Sequence, residues 1–172
     1  WSWALYDWAN SAFSTTVIAG FFPLFFKQYW HVDTDPIIST AHLGVANAIA
    51  GSLVACSAPL LGTMADYSGQ KKRFLTLFMI LGAGSTLSFA TIHQGQWMWA
   101  MVAFVVASIG FMSANVFYDA MLVDVAKPES RHQASSLGYA LGYLGGGLLL
   151  GVQILLLQHP EWIGAQSSTD IV

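Results

Sequence analysis

At 172 residues the chain is 55% hydrophobic and only 9% charged, against about 25% charged residues in soluble domains. That deficit excludes an ordinary water-soluble fold; a net charge of −3 says little about partners, and no basic stripe points to nucleic acid. A single cysteine, Cys56, set in an apolar run, excludes an internal disulfide or a thiolate metal site.

A helix needs about 20 mostly apolar residues to cross about 30 Å of hydrocarbon, and five stretches qualify. The first, residues 5–26, opens on LYDWANSAF and ends at Lys27. Its start is polar for a membrane span: Asp7, then Asn10 or Ser11, then Ser14 recur at i, i+3/4 and i+7 and form one helical stripe. The stretch is too long for a secretory leader and lacks a positive flank. The chain begins at Trp1 rather than Met, so its true N-terminus is expected to lie upstream.

The second span, residues 39–63, is rich in Gly, Ala and Ser. Its deep amide, Asn47, is read as a helix–helix hydrogen bond in preference to a solute contact. The loop that follows runs Gly62-Thr-Met-Ala-Asp66-Tyr-Ser-Gly69-Gln-Lys71-Lys72-Arg73. Gly62 allows another helix to come close, and Gly69 allows a tight turn with positive φ. Asp66 can face a helix N-terminus, and the basic residues can pair with it or with Asp124.

The third span covers residues 74–92 and the fourth residues 97–123. On the fourth, Ser108, Asn115 and Asp119 follow i, i+7 and i+11 and share a face. In the next loop, Lys127-Pro-Glu-Ser-Arg131, Pro128 marks a helix boundary and Glu129 is expected to pair with Arg131. The fifth span, residues 136–157, opens in the stretch SSLGYALGYLGGGLLLG. Gly138 and Gly142 make one GxxxG pair, Gly147 and Gly151 another, a spacing that lets helix backbones pack closely in lipid. The consecutive Gly145, Gly146 and Gly147 weaken the helix, leaving tight packing and bending both open.

Backbone groups have no water to bond in lipid, so these stretches are helices or barrel strands. Barrel strands are shorter and alternate polar with apolar residues. The fold class is therefore an all-α membrane protein with five transmembrane helices. Lys71, Lys72, Arg73, Lys127 and Arg131 fall in the loops after spans two and four, and only Lys27 lies on the other side. This bias puts those loops and the N-terminus in the cytoplasm, with Trp30, Trp97, Trp99 and Trp162 near the outer boundary and Trp1 and Trp3 near the inner one.

In that orientation Asp7 and Asp119 lie near the cytoplasmic ends of their helices, with Asn10 and Asn115 about one turn deeper. Ionisable groups in a span face a cavity or a partner, so this layer is read as lining or gating a cavity. The alternative is an interfacial position, with bonds to loop groups or to Tyr6 and Tyr118. An odd number of spans leaves residues 159–172 outside, and the chain is expected to stop short of a sixth helix. His31, His42, His93, His132 and His159 have no metal-binding spacing, and no GxSxG elbow or catalytic His–Asp arrangement occurs. No metal, no cofactor and no enzymatic activity are expected.

The loop GTMADYSGQKKR strongly resembles the signature between the second and third helices of the major facilitator superfamily, and KPESR resembles its counterpart after helix four. Tyr67 departs from that signature, standing where many members place a basic residue. Together with ALYDWANSAFSTTV and PESRHQASSLGYALGYLGGGLLL, these stretches resemble the vacuole-effluxer-like branch. That branch includes the autophagy-related vacuolar amino-acid effluxer of fungi and bacterial relatives.

The resemblance implies two six-helix halves around a central solute cavity, with residues 1–172 forming an N-terminal half-bundle cut before its sixth helix. It implies secondary active export of small solutes by alternating access, amino acids being the fungal case. Gly62, Asp66, Gly69, Lys71, Lys72 and Arg73 would then form a cytoplasmic latch. The implied partners are the lipid bilayer, a small-molecule substrate and a C-terminal half. The implied location is the cell (inner) membrane of a bacterium or the vacuolar membrane of a fungus. The fourth span lacks the Arg of the proton-coupling signature, and the fifth lacks the Gly-Pro pair of the antiporter signature. A membrane scaffold or sensor on the same fold is the competing reading.

Overall fold

The computed structural model describes residues 2–164. They form five long apolar helices, and no strand occurs among the described residues. The helices are α1 (Ser2–Trp30), α2 (Pro36–Ser68), α3 (Lys71–Ser88), α4 (Trp97–Ala120) and α5 (Arg131–Gln158). A 3-10 turn, Phe89–Thr91, prolongs α3, and a short helix, Leu122–Val125, prolongs α4. Another 3-10 turn, Pro128–Ser130, leads into α5. α1, α2 and α5 run past both limits expected from composition because polar end residues continue the winding. α3 starts early but ends at Ser88 and α4 ends at Ala120, each followed by a short separate turn. Trp1 and the residues after Gly164, to which an inner aromatic and an outer tail were assigned, lie outside the described residues.

The helix ends follow local chemistry. Asp35 caps α2, accepting the Ile37 amide at 2.7 Å, with Pro36 at the first helical position, where its missing N–H costs nothing. Gly69 ends α2 in the left-handed region, at φ 64°, with its N–H directed back at the last carbonyls. That conformation is cheap only for glycine. Gln70 alone separates it from α3, which places Asp66 and Lys71 at the two lips of one turn.

α1 is not wound uniformly. Residues Phe13–Phe21 and Phe26–Trp30 are π-helical, separated by one α-turn that contains Pro23. The Thr15 hydroxyl donates to the Ser11 and Ala12 carbonyls, and the Ser14 hydroxyl to that of Ser11. Hydroxyls that bond back onto carbonyls compete with the amides for those acceptors, and Pro23 removes an amide altogether. Both favour bonding one residue further back. Gly20 suits this winding, since a Cβ there would stand 2.8 Å from the Thr15 carbonyl oxygen.

The chain divides into two compact units, one of residues up to Phe25 with those from His132 onward, the other Phe26–Arg131. In the first, α1 packs on α5. In the second, α4 is the central helix, burying Ala100, Phe104, Ala107, Ala114 and Phe117. Against it α3 brings Gly82 to Gly110, where a Cβ would stand 2.5 Å from the Gly82 nitrogen. Phe74 and Phe78 stack on Phe117 beside that crossing, and the Ser85 hydroxyl donates to the Ala103 carbonyl at 2.8 Å. Lipid offers no hydrophobic reward for helix association, so close backbone packing and such cross-helix bonds hold the pair together.

Candidate functional site

The most polar ground in the second unit is the end of the helices that carries the basic loops. Lys71, the first residue of α3, directs its Nζ to Asp66 Oδ1 at 3.1 Å, Asp124 Oδ2 at 3.0 Å and the Ala120 carbonyl at 3.3 Å. Three donors meet three acceptors, so the ammonium is fully used. Its side chain is 17% exposed, whereas the two carboxylates are 65% and 55% exposed. One lysine thus ties the end of α2 to the segment beyond α4.

The rest of the basic cluster stands apart. Arg73 donates to Gln70 Oε1 at 2.9 Å, and Lys72 and Arg73 flank an open hollow with Gly69 and Thr76. At Gly62 a Cβ would meet nothing within 4 Å, so the close helix approach it allows is not made among the described residues. Asp66 faces the Lys71 ammonium, where its charge finds a direct partner. Glu129 and Arg131 are not joined as anticipated, for the Arg131 Nε donates to the Ala126 carbonyl at 3.4 Å, which the 3-10 turn brings within reach.

The first unit holds the polar stripe of α1. A Cβ on Gly142 of α5 would stand 2.7 Å from Ser11 Oγ and 2.8 Å from Asp7 Oδ2. Both side chains therefore occupy the space the glycine leaves. Gly145 lies against the backbone oxygen and ring of Trp8, and Gly146 lies under Thr15 and the Ser11 carbonyl. Gly138 is buried as well. Gly147 and Gly151 meet nothing within 4 Å; that GxxxG pair lies on a face of α5 with no neighbour among the described residues. The α-helical bonding runs unbroken through Gly145–Gly147, so the triple glycine serves contact with α1 and leaves the winding intact.

Other members of the stripe point elsewhere. Asn10 accepts from the Tyr6 hydroxyl at 3.4 Å, and Ser14 bonds within its own helix. Asn47 does likewise, donating to the Leu43 carbonyl at 3.1 Å rather than to a second helix. On α4, Ser108 is fully buried, Asn115 half-buried and Asp119 exposed. Two features escaped sequence reasoning. Thr16 Oγ1 bonds Gln153 Oε1 across the α1–α5 seam at 3.0 Å; a lone amide inside GVQILLL was the available signal.

The second is a stack at the opposite end of unit two. His42 lies parallel to Trp97, their rings 5.0 Å apart and 3° from coplanar, and His31 sits 5.2 Å from His42 and 4.8 Å from Trp97. The His31 Nδ1 is 3.0 Å from the buried Ser39 hydroxyl. Burial, and then the neighbouring His42, hold the His31 imidazole below its usual pKa range. No three metal-binding side chains gather among the described residues.

Comparison with known proteins adds the following. The family described as "Vacuole effluxer Atg22 like" matches residues 36–164. A protein of Bacillus subtilis (strain 168) called "Uncharacterized MFS-type transporter YxiO" is 41% identical over 165 residues, 94% of this chain and 39% of its own length. A protein of Aquifex aeolicus (strain VF5) called "Uncharacterized protein" is 30% identical over 160 residues, again 39% of that protein. The chain therefore spans about two-fifths of the curated relatives it matches. No solved structure matches it significantly.

Proposed function

Because the chain belongs to the vacuole effluxer Atg22-like family, we propose that it is the N-terminal part of a secondary transporter that moves small solutes across a membrane by alternating access. Amino acids are the first substrates to test. The remainder of a longer protein supplies the second half-bundle, and the membrane is the cell membrane in a bacterium or the vacuolar membrane in a fungus.

The observation that carries this reading is the Lys71 ammonium between Asp66 and Asp124. Charge-assisted bonds are strong and directional, yet pairs with carboxylates this exposed contribute little net stability. Such a tie can open and re-form, which a latch between states requires. Lys72 and Arg73 present free charge beside it, and Gly62 keeps one face of α2 clear for a partner helix. Asp7, Asn10, Ser11 and Ser14 on α1, with Asn115 and Asp119 on α4, are the cavity or gate residues; Asn47 is assigned to holding its own helix.

The test is flux in proteoliposomes containing the full-length protein, with a panel of labelled amino acids. Saturable movement of at least one is expected. No flux across the panel, with the protein folded, would remove amino acids as substrates. Asp66→Asn should lower flux roughly tenfold, equivalent to about 1.4 kcal/mol on the limiting step, without changing the melting temperature. Unchanged flux in that variant would sink the latch.

A further inference from the structure

Thr16 is set apart from the other cross-helix hydroxyls, since Ser85 and Thr15 reach backbone carbonyls of the facing helix whereas Thr16 meets a side chain. The hydroxyls of Ser14, Thr15, Thr76 and Thr86 fold back onto carbonyls of their own helices. That of Thr16 leaves α1 and meets the Gln153 carboxamide of α5. One bond uses one end of the amide. Gln153 carries two further N–H donors, and no protein partner takes them among the described residues. Turning the amide over would spend one N–H on the Thr16 oxygen and still leave one N–H donor and the carbonyl oxygen over. The neighbours in sequence, Leu148 to Leu150 and Ile154 to Leu157, offer no side-chain acceptor. A surplus polar group within a span is costly in lipid and is kept where it faces water or a ligand.

A second observation falls on the same place. Thr16 lies inside the π-wound stretch Phe13–Phe21, and π-windings within helices concentrate at functional sites. The winding is accommodated by Gly20, which also faces Leu150 of α5, 3.8 Å from a Cβ built there. The same seam therefore holds a widened helix turn, a small residue and an unfilled hydrogen-bonding group.

We propose that Thr16 and Gln153 form a hydrogen-bonding station in the solute's path, which takes small molecules that are uncharged or zwitterionic and carry oxygen acceptors. This rests on the transport reading above. The charge selectivity follows from the surroundings: between Phe13 and Phe25 on α1, and between Gln133 and Gln158 on α5, there is no Lys, Arg, Asp or Glu. A solute with net charge would find no counter-ion on these two stretches, whereas an amide can donate to a carbonyl, hydroxyl or carboxylate oxygen without one. The Thr16 hydroxyl positions the amide, and the amide donates to the solute.

Two measurements on the full-length protein test this, and the first needs no substrate. In a background lacking other cysteines, with Cys56→Ser, Gln153→Cys is treated with a membrane-impermeant charged methanethiosulfonate. Tyr67→Cys, at a residue 98% exposed in the basic-end loop, serves as the water-accessible control in detergent, and Leu148→Cys, in the apolar run of α5, as the comparison. Labelling of position 153 well above position 148 is expected; labelling no faster than at 148 overturns the proposal even if transport is robust. The second is competition by serine, glutamine, glycerol, lysine and glutamate for that labelling and for flux. The first three should protect and the two charged amino acids should not.

Gln153→Leu and Thr16→Val should raise KM for the transported solute about tenfold, the size of one lost hydrogen bond, with kcat within a factor of about three. Thr16→Ser should restore KM. A fall in folded yield with KM unchanged would mark the pair as a structural bond only and overturn the station. Labelling at 153 without flux of any panel member would instead count against the amino-acid reading and leave the aqueous station standing.

Discussion

The two units use glycine for opposite purposes. Where α3 crosses α4, Gly82 and Gly110 bring backbone onto backbone, flanked by stacked rings of Phe74, Phe78 and Phe117. Where α1 meets α5, Gly142 and Gly146 receive side chains, namely Asp7, Ser11 and Thr15. The first crossing is apolar and rigid, since a backbone atom cannot rotate out of the way. The second joins one backbone contact, Gly145 on the Trp8 carbonyl oxygen, to sockets for polar side chains that have rotamers to fall back on. The same residue type thus marks a fixed joint in the second unit, and in the first a fixed point at Gly145 flanked by adaptable sockets at Gly142 and Gly146.

Substitutions can break or sharpen that contrast. Gly110→Ala should have the largest effect, since the added carbon would press on the Gly82 nitrogen at 2.5 Å and the Phe78 carbonyl at 2.8 Å. A loss of about 3 kcal/mol is expected, at the upper end for overpacking, read as a lower melting temperature in detergent. A shift within error would show that the crossing is not rigid. Gly142→Ala should cost less, about 1–2 kcal/mol, because Asp7 and Ser11 can turn aside; if it matches Gly110→Ala, the two seams are alike.

Lys71→Met should change stability by no more than about 1 kcal/mol, given the exposed carboxylates, while lowering flux in the full-length protein. Stability should also fall with acidity through the His31 stack. His31 is held below its ordinary value of 6.5 by burial first and His42 second, so the unfolded chain binds a proton more readily than the folded one. The stabilisation is complete above about pH 6.5 and is lost as pH falls below it. His31→Gln should flatten the melting temperature between pH 7.5 and 5, and hydrogen exchange should place the loss in Phe26–Arg131. The smallest effect belongs to Gly147→Ala, whose added carbon meets nothing. It should be neutral or stabilising by up to about 1 kcal/mol, from helix propensity; clear destabilisation would mean that the open face of α5 is covered.

Much of this was legible in the sequence because it depends on neighbours along the chain. Span length, the αL turn at Gly69 and the nearness of Asp66 to Lys71 follow from local spacing alone. Which segments meet does not. His31, His42 and Trp97 come from three separate stretches, and no period connects them. The GxxxG spacing identified two glycine pairs on α5 but could not say which face meets α1, so Gly147 and Gly151 were weighted like Gly142. Gln153 was passed over because one amide in an apolar run forms no pattern. The stripe arithmetic on α1 assumed 3.6 residues per turn and held for Asp7 and Ser11, while from Phe13 onward the winding changes.

That change has a mechanical side. A stretch bonded to the fifth residue back holds surplus chain, and the surplus can travel along a helix by exchanging one hydrogen bond for the next. Each step would turn the residues on one side of it relative to those on the other. The π-wound stretch lies between Asp7 and Ser11 near the start of α1 and the residues that follow Gly20. The first span therefore carries its surplus turn between its polar end and the residues that follow Gly20.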